Sequence, residues 1–333
     1  MGRIRRQTRG PKMEGAILAD RGRLSYDDRV SKHWPGFAKN GKENITIEWV
    51  MSHMSGLPYL DATITEDMAF DHNLMRRVLE EEKPKFTPGA SSRYHFLTYG
   101  WLVDQIVRHT DDKRRGIGQF LREEVTEPNG IDFHIGLNLS QEYRVARISL
   151  PGIMDMISDM WSSARVFSLF YHYVTSDKNS DLNRAMTNPS WIDVWYKCTA
   201  NNPEQHAMEQ AAGFGIGNAR SLGTIFNLLV TGHLVGKKML TFLENPVINE
   251  TGYLTDGNLA KGHGFFYAPA HGKEGGGLIH HPGHGCQQIT FDIRNQIVIA
   301  YVTNALKMGY FDCCRNYWRI HQAVYDALGD SKF

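Results

Sequence analysis

The sequence predicts an α+β fold: a mostly helical domain packed on an antiparallel sheet, with a C-terminal helix lying over that sheet. Three observations predict it. Apolar residues recur at helical spacing from residue 13 to about 245, β-branched runs replace that period beyond about 260, and the chain closes on a single apolar helical stripe. We divide it into a basic N-terminal segment at 1–12, a mainly α-helical domain at 13–245, and a sheet plus C-terminal helix at 246–333.

Residues 13–21 read as the end of a helix closed by Gly22, ahead of the turn-rich stretch from Arg23 to Asp28. Helical patterns follow at 46–54, 66–82, 94–109 and 117–126, parted by Gly, Pro and Asn clusters. Before the third of these, Pro88-Gly89 makes a turn, and Phe96, Tyr99, Val103 and Ile106 or Val107 then fall at helical spacing. Tyr94 is thereby placed at a helix N-terminus, near the positive end of the dipole, where phenolate is favoured and a tyrosine base makes chemical sense. The competing reading is a packing tyrosine whose hydroxyl finds a backbone partner. Residues 150–175 are apolar and aromatic, and 176–210 are polar, so the second stretch is expected to be a long excursion over the helical body. Leu222, Ile225, Phe226 and Leu229 mark a helix over 219–232. Strands are expected near 263–268, 288–293 and 296–304, the last two joined by a hairpin at Arg294-Asn295. Cys313, Tyr317, Ile320, Val324 and Leu328 stripe a helix over 312–328 that can cover the hairpin's face.

At 333 residues, 41% hydrophobic and 22% charged, the chain can bury a large core and has an ordinary soluble composition. Its 37 basic and 36 acidic side chains leave +1, so no global field draws nucleic acid or an anionic membrane, and a small-molecule partner is expected. No run reaches the ~18 apolar residues of a membrane span, and residues 1–12 lack the apolar core of a secretory signal. A cytoplasmic protein is expected. Arg3, Arg5, Arg6 and Arg9, with no acid before Glu14, keep a mitochondrial transit fragment as the alternative. Cys198, Cys286, Cys313 and Cys314 show no Cys-x-x-Cys spacing, which we read as a reducing compartment.

Gly213-Phe-Gly215-Ile-Gly217 lacks the third glycine of a dinucleotide loop and has no strand pattern before it, so no nucleotide cofactor is expected. His263, His271, His280, His281, His284 and Cys286 bunch in a glycine-rich segment without His-Glu-x-x-His; they read as loop residues rather than metal ligands, and no metal or other cofactor is expected. The stretch from Leu278 to Cys286 leads into a strand. Its glycines allow a backbone to approach a ligand, and a strand edge offers an N–H to a developing oxyanion; a tight loop at a sheet edge is the competing reading.

Several runs then fall in a telling order: Ile17-Leu-Ala-Asp-Arg-Gly-Arg-Leu-Ser-Tyr-Asp-Asp-Arg-Val-Ser-Lys-His-Trp-Pro; Ile45-Thr-Ile-Glu-Trp-Val-Met-Ser-His53-Met-Ser55-Gly56-Leu57-Pro58; Pro88-Gly89 ahead of Tyr94; Asn218-Ala-Arg-Ser221-Leu before a helix; and His281-Pro-Gly283 before two strands. Together they closely resemble the serine β-lactamase and penicillin-binding-protein superfamily, and within it the class C-like esterase branch that includes the β-lactamase domain-containing proteins of animals. The resemblance runs from about residue 13 onward. It implies an all-α domain against an antiparallel sheet, with acyl transfer from small-molecule esters or amides at their junction. Tyr94 matches the base of the family's Tyr-x-Asn motif, with Phe96 standing where the Asn would be. His281 to Gly283 match its Lys-Thr-Gly strand, with His281 in place of Lys, and the N–H of His284 matches an oxyanion donor. A His at that place resembles the esterase branch rather than dedicated β-lactamases. The resemblance thus implies Tyr94 and His281 as catalytic and Phe96, Gly283 and His284 as substrate or oxyanion contacts.

One departure is larger. The family's nucleophile is the Ser of a Ser-x-x-Lys motif, and no Ser-x-x-Lys occurs in the 333 residues. Counting back about fourteen residues from Gly22 puts the Lys on Thr8 and the Ser on Arg5. A free tyrosine has a pKa near ~10, so roughly one in a thousand is phenolate at pH 7. A cation ~4 Å away, at an effective dielectric of ~20, is worth ~4 kcal/mol or about three pKa units, and both lysines the family uses for this are missing. The chain is therefore expected to be a serine-hydrolase fold with little or no turnover; a non-catalytic binding or scaffold protein is the alternative. The strands the family carries ahead of its nucleophile are unmatched too, and a homo-oligomer covering the exposed sheet edge is expected.

Overall fold

Gly22, at φ +70°, stops the first helix where the sequence places its end. The computed structural model describes residues 5–8, 13–194, 197–251, 258–269 and 276–328. The helices are α1 (Glu14–Asp20), α2 (Val30–His33), α3 (Ile47–Met51), α4 (Glu66–Phe70), α5 (His72–Glu81), α6 (Thr98–Thr110), α7 (Ile117–Leu121), α8 (Ile153–Ser162), α9 (Ala164–Thr175), α10 (Asp181–Thr187), α11 (Pro203–Ala207), α12 (Ala219–Val230), α13 (Lys237–Leu243) and α14 (Arg315–Leu328). The strands are β1 (Arg5–Thr8), β2 (Phe133–Ile135), β3 (Gly215–Gly217), β4 (Ile248–Thr251), β5 (Asn258–Gly262), β6 (Phe265–Pro269), β7 (Gly276–Gly283), β8 (Gln287–Asp292) and β9 (Ile297–Tyr301).

α6 is the buried spine of the helical part: Tyr99, Trp101, Leu102, Val103, Ile106 and Val107 all lie inside. Its one internal acid, Asp104, is buried but satisfied by the Ile117 N–H at 2.9 Å and Arg108 Nε at 2.8 Å. The expected helix over 66–82 is broken in two. Asp71 leaves helical geometry and its carboxylate accepts from the N–H groups of Asn73 and Leu74, so a side-chain cap restarts the helix in mid-pattern.

β4 to β9 form one antiparallel sheet in sequence order. On one face Phe291 meets Phe226 of α12, ring centroids 5.0 Å apart, and Phe265 of β6 at 5.2 Å. On the other face the hydroxyl of Thr290 is hydrogen-bonded to that of Tyr317 on α14. The sheet is thus held between two helices, and β8, next to the edge strand β9, is buried along its whole length.

Strands β4, β5 and β7 lie outside the three expected from the sequence, and His263-Gly264 is a left-handed turn rather than the start of a strand. Asn258-Leu-Ala-Lys-Gly262 and Gly276-Gly-Leu-Ile-His-His-Pro-Gly283 have little β-branched character; pairing with β6 and β8, not propensity, makes them strands. The glycine run at 213–217 also ends in a strand, β3, the middle of a small sheet in the order β1-β3-β2. A Cβ on Gly217 would stand 2.4 Å from the Phe133 ring, so close packing and not phosphate binding accounts for that glycine.

The cysteine reading is corrected as well. Cys286 and Cys314 form a disulfide, Cα atoms 5.6 Å apart, which joins the β7–β8 turn to the start of α14. Spacing along the chain does not reveal a pair that only the fold of sheet and helix brings together. Among the described residues no helix is long and apolar enough to cross a membrane.

Candidate active site

Tyr94 does not head a helix. α6 begins only at Thr98, and residues 91–95 have no regular secondary structure. The reason is where their backbone donors go: the Arg93 N–H reaches the His53 carbonyl at 3.0 Å, and the His95 N–H reaches His53 Nδ1 at 3.2 Å. These bonds hold the segment against the turn at His53 as an irregular loop, and the helix starts only beyond it. The helix-dipole argument for a phenolate therefore does not extend to Tyr94.

That other turn is the seat of the site. His53 adopts a left-handed conformation, φ +63°, at the end of α3, and its ring lies between Tyr94, 4.7 Å away by centroids, and Tyr99 at 5.0 Å. Tyr99 is fully buried, and burial, reinforced by the charges of Tyr26, Glu14 and Glu48, holds its phenol well above the usual range, so it stays protonated. Tyr94 is only half-buried, with Phe96 beside it at 6.5 Å between centroids. His95, wholly buried, ties the two segments together. Its Nε2 accepts from the Leu57 N–H at 3.2 Å, and the Ser55 hydroxyl lies 2.8 Å from the same nitrogen. Because Nε2 accepts, the proton sits on Nδ1, which donates to the Arg93 carbonyl at 2.5 Å.

Gly89 holds the entry to this loop. At φ +82° it is left-handed, and a Cβ there would stand 2.6 Å from the Trp49 ring. Gly89→Ala should therefore destabilise the chain by roughly 2 kcal/mol or more, read as a shift in urea midpoint at unchanged slope.

The sheet contributes a side chain that sequence reasoning did not place here. Lys261 of β5 is buried and its Nζ donates to Ser92 Oγ at 2.9 Å; Ser92 in turn donates to the Ser52 carbonyl at 2.8 Å. Ser52 is hydrogen-bonded through its own hydroxyl to Glu48. Glu48 also accepts from the His263 backbone N–H at 2.9 Å and pairs with His263 Nδ1 at 2.6 Å. A continuous polar chain thus runs from α3 through the Tyr94 loop to β5.

His281 lies buried in β7, its ring 5.3 Å from that of Phe266 on β6. Gly283 ends β7 opposite Gln287, and a Cβ on it would stand 2.8 Å from that residue's Cβ, so only glycine fits this close approach. His284 and Gly285 follow in the turn, with Gly285 at φ +72°. Lys261 faces Phe266 across β5 and β6, and Phe266 faces His280 across β6 and β7. The tether of the Tyr94 loop is therefore two strand spacings, about 10 Å, from the strand that carries His281. His53, His95 and Lys261, which frame the Tyr94 loop, carry no mark of that position in the sequence, and Ser55 reads there only as part of a turn. The one signal was the Ser55-Gly56-Leu57-Pro58 stretch, which announces a turn without saying what it holds.

The Beta-lactamase family matches residues 15–322 of this chain. A protein described as "Esterase/beta-lactamase LipL", from Mycobacterium tuberculosis, is 37% identical over 136 residues, which are 40% of this chain and 31% of that protein. The chain thus spans less than a third of that relative's length. Among solved structures, EstA from Arthrobacter nitroguajacolicus Rue61a superposes with a TM-score of 0.81 at 20% identity, covering 100% of this chain and 86% of that one. A family VIII carboxylesterase gives 0.80 at 21% identity over 97% and 83% of the two chains. A penicillin-binding-protein homologue from Caulobacter crescentus gives 0.75 at 24% identity over 96% and 83%. At these identities the structural likeness establishes the fold.

Proposed function

Because the chain belongs to the β-lactamase family, we propose that it presents a cleft for small esters or amides and that these 333 residues by themselves do not turn such ligands over. In this reading Tyr94 and His281 face one reacting carbonyl, the His284 N–H is directed at its oxygen, and Phe96 and Gly283 line the approach. The tether of the Tyr94 loop to β5 brings that loop within two strand spacings of β7, and the family match carries the rest of this reading. The helical part and the sheet part act as separate halves of the cleft, divided near residue 245.

The observation that carries the inactivity is that no serine is followed by lysine three residues on. Losing a serine nucleophile costs hydrolases about a millionfold in turnover, leaving only binding and the oxyanion donors. Ser92 does not substitute for it: Lys261 donates to its oxygen, and its own proton is aimed at the Ser52 carbonyl, a group that does not serve as a base.

The test is hydrolysis of p-nitrophenyl acetate and of a chromogenic cephalosporin by the purified chain and its Tyr94→Phe variant, together with labelling by a fluorophosphonate. Rates at the buffer level and no labelled serine are expected. Turnover that disappears in Tyr94→Phe, or label on a defined serine, would overturn the inactive reading.

A further inference from the structure

The α8–α9 pair differs from the rest of the helical body in what it shows to solvent. Its apolar side faces solvent: Ile153 is 77% exposed, Met154 76%, Ile157 49% and Trp161 92% on α8, with Phe167 at 55%, Tyr171 at 60% and Val174 at 61% on α9. At 3.6 residues per turn each set falls within about 100° of arc, so each helix displays one continuous stripe. Val166 of α9 is turned inward, and polar side chains flanking the stripes tie both helices to the body. Asp155 accepts from Lys307 Nζ at 2.6 Å, Asp159 accepts from the Met308 N–H at 3.1 Å, and Arg165 is paired with Asp312 of the segment leading into α14. The hairpin is therefore pinned in place with its apolar stripes outward.

Weighting side-chain areas of roughly 150–250 Å² by these exposures gives roughly 1,000 Å² of apolar surface. That exceeds the ~300–600 Å² of the largest patch on a typical monomer and matches the ~800 Å² per partner of a stable interface. We propose that a second copy of this chain covers it, each hairpin packing on the other about a two-fold axis to bury both pairs of stripes. This is a different surface from the edge of the β4–β9 sheet. Helices that lie on a membrane carry basic side chains along their polar side, whereas Arg165 is the single Lys or Arg in residues 148–175 and is already paired inward. The stripes hold no charge that would select a partner of opposite sign, and one apolar patch can pack on the same patch of a second copy under a two-fold operation.

The experiment is sedimentation equilibrium of the full chain across a wide concentration range, with Trp161→Glu on the face and Phe70→Glu, an exposed apolar residue of α4, as control. A two-chain mass is expected for the unaltered chain and for Phe70→Glu. Trp161→Glu should weaken dimerisation by about a hundredfold or more while keeping its circular dichroism spectrum; were it to lose that spectrum, Phe167→Glu on the other helix is read in its place. A one-chain mass at every concentration would overturn the proposal. So would a dimer that survives both face substitutions, or a monomer that binds phosphatidylcholine vesicles and is released from them by Trp161→Glu.

Discussion

Replacing Glu14 by Met is expected to raise the unfolding free energy by roughly 3 kcal/mol at pH 7, with most of the gain gone at pH 4.5. Glu14 lies in the first turn of α1, where the helix dipole favours a carboxylate by at most ~1 kcal/mol. The side chain is completely buried, however, and neither carboxyl oxygen has a hydrogen-bond partner. Burial wins and pushes its pKa up from 4.5 to about 8. The sign follows from which state holds the proton. Between pH 4.5 and 8 the folded chain keeps it while the unfolded chain releases it, so stability is full below 4.5 and declines as pH rises through that window. The Met variant lacks this decline. Urea unfolding of both proteins at several pH values measures it, and parallel curves would show that Glu14 is not the source.

The opposite limb belongs to His280. Its ring stacks on Phe311 at 3.8 Å, its Nδ1 has no hydrogen-bond partner, and burial, then the nearby His321 of α14, brings its pKa down from 6.5 to about 3. Here the unfolded chain takes up the proton first. Stability is full above pH 6.5 and is lost as pH falls toward 3, by roughly 3 kcal/mol at pH 4.5. His280→Phe keeps the stacked ring and removes the titration. The stability of the unaltered chain minus that of the variant should fall by that amount on going from pH 7 to 4.5, and a constant difference would count against His280. With Glu14 penalised from above and His280 from below, the two slopes cancel between pH 4.5 and 6.5, so these two groups leave the unaltered chain most stable on a shallow plateau centred at pH ~5.5.

Most of the helical part was legible because its stripes are regular. Leu222, Ile225, Phe226 and Leu229 marked α12, and Gly22 marked the end of α1, with no help from tertiary structure. What resisted reading was decided by contacts distant in sequence. β5 and β7 take their conformation from neighbours, and α6 starts four residues later than its pattern suggests, after a segment tied to the distant His53. The same holds for the site: Tyr94, His281 and Gly283 were named through resemblance, whereas Lys261 and His95 carry no local mark, because a buried lysine and a satisfied histidine look like any others in a string of letters. The outward face of α8 and α9 was legible as apolar but not as exposed; periodicity reports a stripe and is silent on which side the protein lies.

The polar chain from Glu48 to Lys261 has a consequence for the order in which the molecule assembles. Its bonds span 169 residues from Ser92 to Lys261 and 215 from Glu48 to His263. Closing loops of that length costs entropy that no local contact returns, so such pairings form late in folding. A ribosome that has released only the helical part has made Glu48, Ser52 and Ser92 without their partners, and the seat of Tyr94 must wait until β5 has been synthesised and docked. Pulse-labelled hydrogen exchange during refolding should therefore protect the amides of α6 and α12 early, with those of residues 52–57 and 93–95 following together with β5.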